Sequence, residues 1–204
     1  PKEIQMKYGN LTLGQIEAGI NKIGGEEAFM RLLRDELVLS EAVMKKLLER
    51  LSATIALPSV KDFTAKEHFV VDTSKKAKVK ISYLGDNLKK HFLPKVEKSE
   101  VAAEELAVNK LLEYAYDPAI ITALGGEAKV EISLGQFFAA FAKQPNGEKG
   151  ALLTNGYANV GYVRDINGVL WAVRGDWDDG GWGFGASSLD RPDGWNDVHQ
   201  FLSR

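Results

Sequence analysis

Cysteine is absent from this chain of 204 residues, which excludes a disulfide scaffold, a thiolate nucleophile and any cysteine-ligated metal centre. Long apolar runs are also missing. The longest extends from Phe137 to Ala142, far short of the roughly 20 residues that span a membrane. No charged-then-apolar leader opens the sequence. We therefore expect a cytoplasmic protein without a membrane partner.

A strong net charge is lacking as well. The 26 basic and 28 acidic residues give a formal charge of −2, so no overall field attracts nucleic acid or an anionic membrane. With 45% hydrophobic and 26% charged residues, the composition is that of a folded globular chain. A chain of this length can bury a self-supporting core without a metal or a disulfide.

Lysine and glutamate do not occur after Lys149. Both residues populate exposed helix faces, so residues 150–204 are not expected to be helical. The same stretch holds all four tryptophans and seven aspartates beside many glycines, which is typical of strands and turns. Asn167-Gly168 is a hairpin signal between two apolar runs. Residues 148–204 are therefore predicted to form an antiparallel meander of about four strands, ending at 199–203.

The first three-quarters of the chain are predicted to be mainly helical. Ser133 and Gln136 form a capping-box signature ahead of an apolar helical stripe, and Thr12 with Gln15 repeats it. The helices expected from such patterns are 12–23, 26–36, 40–51, 99–116, 117–124 and 133–141. Short strands are expected at 54–57, 76–83 and 129–132.

The predicted fold is α+β, with the mainly helical N-terminal three-quarters packed on one face of the C-terminal antiparallel meander. Residues 1–53 would form an N-terminal helical segment and residues 54–204 the α+β core, or the whole chain would be a single domain. Within the last sheet, residues 182–186 alternate large side chains with Gly183 and Gly185. Either a packed element or a ligand must approach that bare face closely.

Three segments carry a resemblance to known proteins: residues 67–74, residues 78–87 and the stretch from Trp171 to Trp195. They are similar to a group of bacterial hypothetical proteins of about this length that have no assigned activity. The similarity covers most of the chain. It implies one co-inherited, intracellular bacterial unit, and it carries no catalytic or binding residues that could be transferred.

The C-terminal turns suggest two functions. In the first, the chain is a binding or interaction protein whose partner is another protein, with Trp177, Asp178, Trp195 and Asp197 as contacts. Both tryptophans fall in turn or loop segments, which favours exposure, although filling the space between sheet and helices would explain them too.

A metal-dependent hydrolase is the second hypothesis, with Asp176, Asp178 and Asp179 as hard oxygen ligands for calcium or magnesium and His199 beside them. The EF-hand pattern fails, because its fifth position is Gly180 and no glutamate follows. Aspartate is also a standard turn residue. No H-E-x-x-H or G-x-S-x-G motif occurs, so a non-enzymatic function is favoured.

Residues 61–98 hold ten lysines and five acidic residues, which gives a third hypothesis of weak nucleic-acid binding through phosphate contacts. The stretch lacks arginine, and solvated strand and helix faces account for the lysines equally well. Nucleic acid is therefore not the favoured partner. In the same stretch Glu67, His68 and Asp72 could form a base and its orienting group, or could be ordinary surface residues.

Overall fold

A computed structural model describes residues 12–22, 25–34 and 46–204, and the chain divides into two compact units, 1–45 and 46–204. Helices α1 (Leu13–Lys22) and α2 (Gly25–Leu33) of the first unit are as expected. The apolar stripe predicted to point inward on α2 is not buried, since Leu33 is 62% exposed. Ser40 and Val43, at the start of the expected third helix, lie outside the described residues.

The second unit contains nine strands and five helices within residues 46–204. Its strands are β1 (Leu48–Leu57), β2 (Phe63–Thr64), β3 (Ile81–Leu84), β4 (Val96–Glu97), β5 (Glu104–Leu111), β6 (Asn159–Arg164), β7 (Leu170–Asp178), β8 (Gly181–Ser188) and β9 (Gln200–Ser203). Its helices are α3 (Ala65–His68), α4 (Asp86–His91), α5 (Asp117–Ala123), α6 (Glu127–Val130) and α7 (Leu134–Phe141).

Seven of these strands form one mixed sheet in the order β1-β5-β9-β6-β7-β8-β3. The β9–β6 and β3–β8 pairs are parallel, and the other pairs are antiparallel. The predicted mainly helical N-terminal part on a C-terminal meander is therefore wrong. Three strands of this sheet, β1, β3 and β5, precede residue 112, and β9 leaves the β6-β7-β8 meander to lie between β5 and β6.

Two predicted helices are strands in the structure. The end of the 40–51 segment belongs to β1, and the centre of the 99–116 segment is β5. Leucine, alanine, glutamate and lysine favour helices, which made both segments look helical. In β5, however, Leu106, Ala107 and Val108 are all buried, because the strand lies between β1 and β9 with both faces covered. A strand buried on both faces loses the alternation that would identify it.

Two predicted strands also differ. In the predicted strand 129–132, Lys129 and Val130 belong to helix α6, whereas Glu131 and Ile132 join the sheet at Tyr162, where the Ile132 N–H donates to the Tyr162 carbonyl (3.0 Å). Residues 76–80 are not a strand either, since β3 begins at Ile81. Their alternation of lysine with apolar residues had no neighbouring strand to pair with, and alternation alone does not make a ladder.

Helix α7 covers one face of the sheet, here called the α7 face. Its capping box is confirmed, with the Gln136 N–H donating to Ser133 Oγ (3.0 Å). The carboxylate of Glu97 adds a second cap, accepting from the N–H groups of Leu134 (3.0 Å) and Gly135 (2.9 Å). Phe137 packs so closely on Gly161 that a Cβ there would lie 2.8 Å from its ring. The helix is thus positioned by its N-terminus and by a glycine beneath it.

The opposite face, here called the α5 face, carries a buried polar cluster, the Asp117 network. Asp117 is 1% exposed, and its Oδ1 accepts from Tyr162 Oη (2.8 Å) and Trp195 Nε1 (2.8 Å). Arg191 Nε lies 3.4 Å from Asp117 Oδ2, and its guanidinium stacks 3.9 Å from the Trp195 ring centroid. The network holds residues 189–199, the connection from β8 to β9, against the sheet.

We expect Asp117→Ala to lower the free energy of unfolding by about 3 to 5 kcal/mol, because it leaves the Arg191 charge without its buried partner. Tyr162→Phe should cost about 1 to 2 kcal/mol, since it removes one hydrogen bond to a charged acceptor. Urea denaturation would measure both. Asp190→Ala, an exposed position in the same connection, should stay within about 0.5 kcal/mol of wild type. An equal loss in that control would contradict the assignment to Asp117.

Candidate functional site

Only part of the α5 face is covered. The cluster around α5 and Trp195 packs on Val160 and Tyr162 of β6 and on Leu170 and Ala172 of β7. Side chains alternate along a strand, so Arg174 and Asp176 project from the same face of β7 beyond this cover. There they border an open cavity of about 250 Å³. It is lined by Tyr83, Gly85, Asp86, Asn87, Arg174, Asp176, Gly183, Phe184, Gly185, Ala186 and Ser187.

Two glycines of β8, here called the glycine floor, form the base of this cavity. Gly183 pairs with Asp176 across the β7–β8 ladder, and Gly185 pairs with Arg174. A Cβ on Gly183 would lie 3.3 Å from Asp176 Oδ2, and one on Gly185 would lie 3.1 Å from Arg174 Nε. Phe184 between them is buried on the α7 face. The alternation read from the sequence is confirmed, and the bare face opens on the cavity.

Asp176 is an unsatisfied acid in this cavity. Its side chain is half-buried, and no donor within the described residues hydrogen-bonds to its carboxylate. Burial raises the pKa of Asp176 above its usual range; the Arg174 charge opposes that shift, and the Asp178 charge adds to it. Arg174 is exposed, and no carboxylate of the described chain lies within ion-pair distance of its guanidinium. Both groups therefore remain available to another molecule.

The two ends of the cavity rim differ in their chemistry. At Gly183 lies the Asp176 carboxylate, near the Cβ of Tyr83, and an unpaired carboxylate favours a cation. The exposed Tyr83 ring lies toward Gly85. At Gly185, the Arg174 guanidinium offers planar donors for a carboxylate or carbonyl. Asn87 closes this end of the cavity and is held by its Nδ2 donating to the Ala186 carbonyl (3.1 Å).

The two tryptophans expected to be exposed are not paired on a surface. Trp195 is only 2% exposed and lies on the α5 face, whereas Trp177 is half-buried on the α7 face. Trp177 makes an edge contact with Trp182 (5.3 Å between centroids) and covers Gly147, where a Cβ would lie 2.2 Å from its ring. The exposure predicted for Trp195 is wrong, because the Asp117 network offers a buried acceptor for its indole N–H.

The remaining predicted site residues are spread over the C-terminal region. Asp178 is exposed at the end of β7, where its Oδ1 accepts from the Asp179 N–H (2.9 Å) as a turn residue does. Asp197 lines a separate cavity of about 410 Å³ with Tyr157 and His199. The Ala158 N–H donates to Nδ1 of His199 (3.0 Å). Burial, followed by the charges of Arg174 and Arg191, lowers the pKa of His199.

Within residues 12–22, 25–34 and 46–204, no group of three or more histidine or acidic side chains is arranged to hold a metal ion. Asp176, Asp178 and Asp179 thus gain no support here as calcium or magnesium ligands. Glu67, His68 and Asp72 do line one cavity together. The group that orients His68, however, is the carbonyl of Thr64 (3.0 Å from Nδ1) and not a carboxylate.

Comparisons with protein-family models, with curated proteins and with solved structures find no match. Among the described helices, none is long and apolar enough to cross a membrane. The sequence reasoning named Asp176, but as a metal ligand, and it missed Arg174, Tyr83 and Asn87 as site residues. The glycine alternation in β8 could have located Arg174. If β7 and β8 are paired as a hairpin, Asp176 and Arg174 are the cross-strand partners of Gly183 and Gly185.

Asp176→Asn should stabilise the protein at pH 7. Because the folded-state pKa of Asp176 is raised, ionising this carboxyl costs folding free energy as the pH rises through that pKa. We expect a gain of about 0.5 kcal/mol at pH 7, since solvent still screens a half-buried charge. The gain should disappear near pH 3, where the acid is largely protonated in both states.

Urea unfolding at the two pH values would measure this difference, with the exposed Asp190→Asn as the matched control. A variant that is less stable than wild type at pH 7 would show that the Asp176 carboxylate has a stabilising partner within the folded chain.

Proposed function

We propose that this chain is a non-enzymatic binding protein whose partner is another protein, and that the glycine floor with its rim is the partner surface. The observation that supports this most directly is the half-buried Asp176 carboxylate without a donor, beside an arginine without an ion pair. Such groups reduce stability and are concentrated at functional sites. The leading role inferred from the sequence is kept, but its location moves from the tryptophans to the open half of the α5 face.

A protein side chain suits the cavity better than a free organic ligand. Its volume of about 250 Å³ lies below the roughly 300 to 1,000 Å³ of typical small-molecule sites. Its rim offers Tyr83 and Arg174, and tyrosine and arginine are enriched where protein partners bind most strongly. The glycine floor also lets a partner's main chain approach β8 without steric conflict.

The charges favour a basic partner residue. Two carboxylates, those of Asp176 and Asp178, stand at the Gly183 end, against the single guanidinium of Arg174. Asp86, also on the cavity wall, is already paired with Lys89 (3.4 Å). Lys89 Nζ lies 5.8 Å from the Tyr83 ring centroid, so this ring already stands near one cation of the protein itself. A partner lysine or arginine would pair with Asp176 at the Gly183 end. Arg174, two residues back along β7, would then take a carbonyl or carboxylate of the same segment.

The test uses two blocked tripeptides, acetyl-Gly-Lys-Gly-amide and the same peptide with norleucine, titrated into the isotopically labelled protein. The lysine peptide should shift the amide resonances of Gly183 and Gly185, and the norleucine peptide should not. Asp176→Asn should weaken binding by about fivefold, the equivalent of an ion pair worth about 1 kcal/mol. Asp190→Asn should leave it unchanged. Equal shifts with both peptides, or none with either at 10 mM, would contradict the proposal.

A further inference from the structure

A second cavity, the lysine cavity, has a volume of about 440 Å³ and shares no residue with the glycine floor or its rim. It lies between α3, the segment before β3 and the side chain of Phe138 on α7. It is lined by Glu67, His68, Val70, Asp72, Lys76, Ala77, Lys78, Val79 and Phe138. This volume is within the range typical of small-molecule sites.

His68 is fixed in this cavity. Its Nδ1 lies 3.0 Å from the Thr64 carbonyl, and because a carbonyl only accepts, Nδ1 carries the hydrogen. The ring stacks on Phe63 (4.4 Å between centroids, 29°) and meets Phe138 edge-on (5.1 Å, 73°). No described residue hydrogen-bonds to Nε2. The histidine, an exposed residue, therefore presents one polar atom, Nε2, without a partner among the described residues.

The two lysines are available for an anion. No carboxylate of the described chain is within ion-pair distance of the ammonium group of Lys76 or Lys78. Asp72 also lines the cavity, and its Oδ1 accepts from the Ser74 N–H (2.8 Å), a hydrogen bond that lowers its pKa and so favours its charged form. The wall itself therefore carries two lysines and two carboxylates. Residues 66–80 contain five lysines against two acidic residues, so the local field around the cavity is positive.

We infer that the lysine cavity binds a small phosphate monoester that carries an apolar group. Lysine ammonium groups bind phosphate as point charges, so the phosphate lies between Lys76 and Lys78. The apolar group packs on Phe138 and Val79. The free Nε2 of His68 accepts a hydrogen bond from the hydroxyl of the monoanionic ester. Glu67 and Asp72, also on the cavity wall, repel the anion and keep the phosphate at the lysine end.

Isothermal titration calorimetry with phenyl phosphate tests this inference. Inorganic phosphate and phenol, which represent the charged and the apolar part of phenyl phosphate, are titrated for comparison. Phenyl phosphate should bind more tightly than inorganic phosphate, and phenol should not bind. Lys76→Met with Lys78→Met should weaken phenyl phosphate by about tenfold or more, through the loss of two charge-assisted contacts. Glu67→Gln should tighten it by about twofold, because a like charge is removed. The matched control is Lys66→Met, because Lys66 lies on α3 beside Glu67 but does not line the cavity.

The direction in which each variant changes the affinity for phenyl phosphate tests the inference. If phenyl phosphate binds the lysine variant no more weakly than wild type, or binds Glu67→Gln more weakly, the lysines do not hold the phosphate and the inference is overturned. If phenol binds with the same affinity as phenyl phosphate, the cavity is apolar and has no anion site, which also overturns the inference. A single-stranded oligonucleotide that binds while phenyl phosphate does not would assign the lysines to nucleic acid, which also overturns it. Thermal melts of each variant establish that it is folded.

Discussion

The buried carboxylate of Asp117 decides which half of the α5 face is covered. Donors from β6 and from the β8–β9 connection converge on one of its oxygens, and Arg191 lies beside the other. A buried indole N–H needs an acceptor, so Trp195 lies against the sheet where that acceptor stands. The connection thereby delivers β9 to its place between β5 and β6. The α5 and Trp195 cluster covers β7 only as far as Ala172. The next two residues on the same face of β7, Arg174 and Asp176, lie beyond it.

Two carboxylates on one face of the sheet therefore serve opposite purposes. Asp117 is almost fully buried but accepts two hydrogen bonds and faces a cation, so its charge holds the fold together. Asp176 is less buried, yet it has no donor, and its charge works against folding. A purely structural role would explain the first and not the second. The difference between them locates the surface at which another molecule would complete the set of hydrogen bonds.

Features set by neighbours along the chain could be predicted from the sequence, and features set by distant segments could not. The Ser133 capping box, the Asn167-Gly168 hairpin and the glycine alternation each depend on a few adjacent residues, and all three occur in the structure. Residues 104–111 form strand β5 because they pair with β1 and β9, which come from opposite ends of the unit. Their helix-favouring composition therefore gave the wrong prediction of a helix. Tyr83 reaches the site only because β3 pairs in parallel with β8, a non-local contact that no local pattern announces.

The near-zero net charge conceals two local fields of opposite sign. Residues 66–80 carry an excess of lysine beside the α7 face, whereas the carboxylates of Asp176 and Asp178, unpaired within the described residues, lie at the open half of the α5 face. Ionic screening limits each field to about 8 to 10 Å at physiological salt, so neither cancels the other at its own surface. A whole-chain charge of −2 excludes long-range attraction of polyanions, but it does not exclude local recognition of a basic side chain and of a phosphate. The balance of charge that made the sequence look neutral is therefore compatible with two separate binding surfaces in residues 46–204.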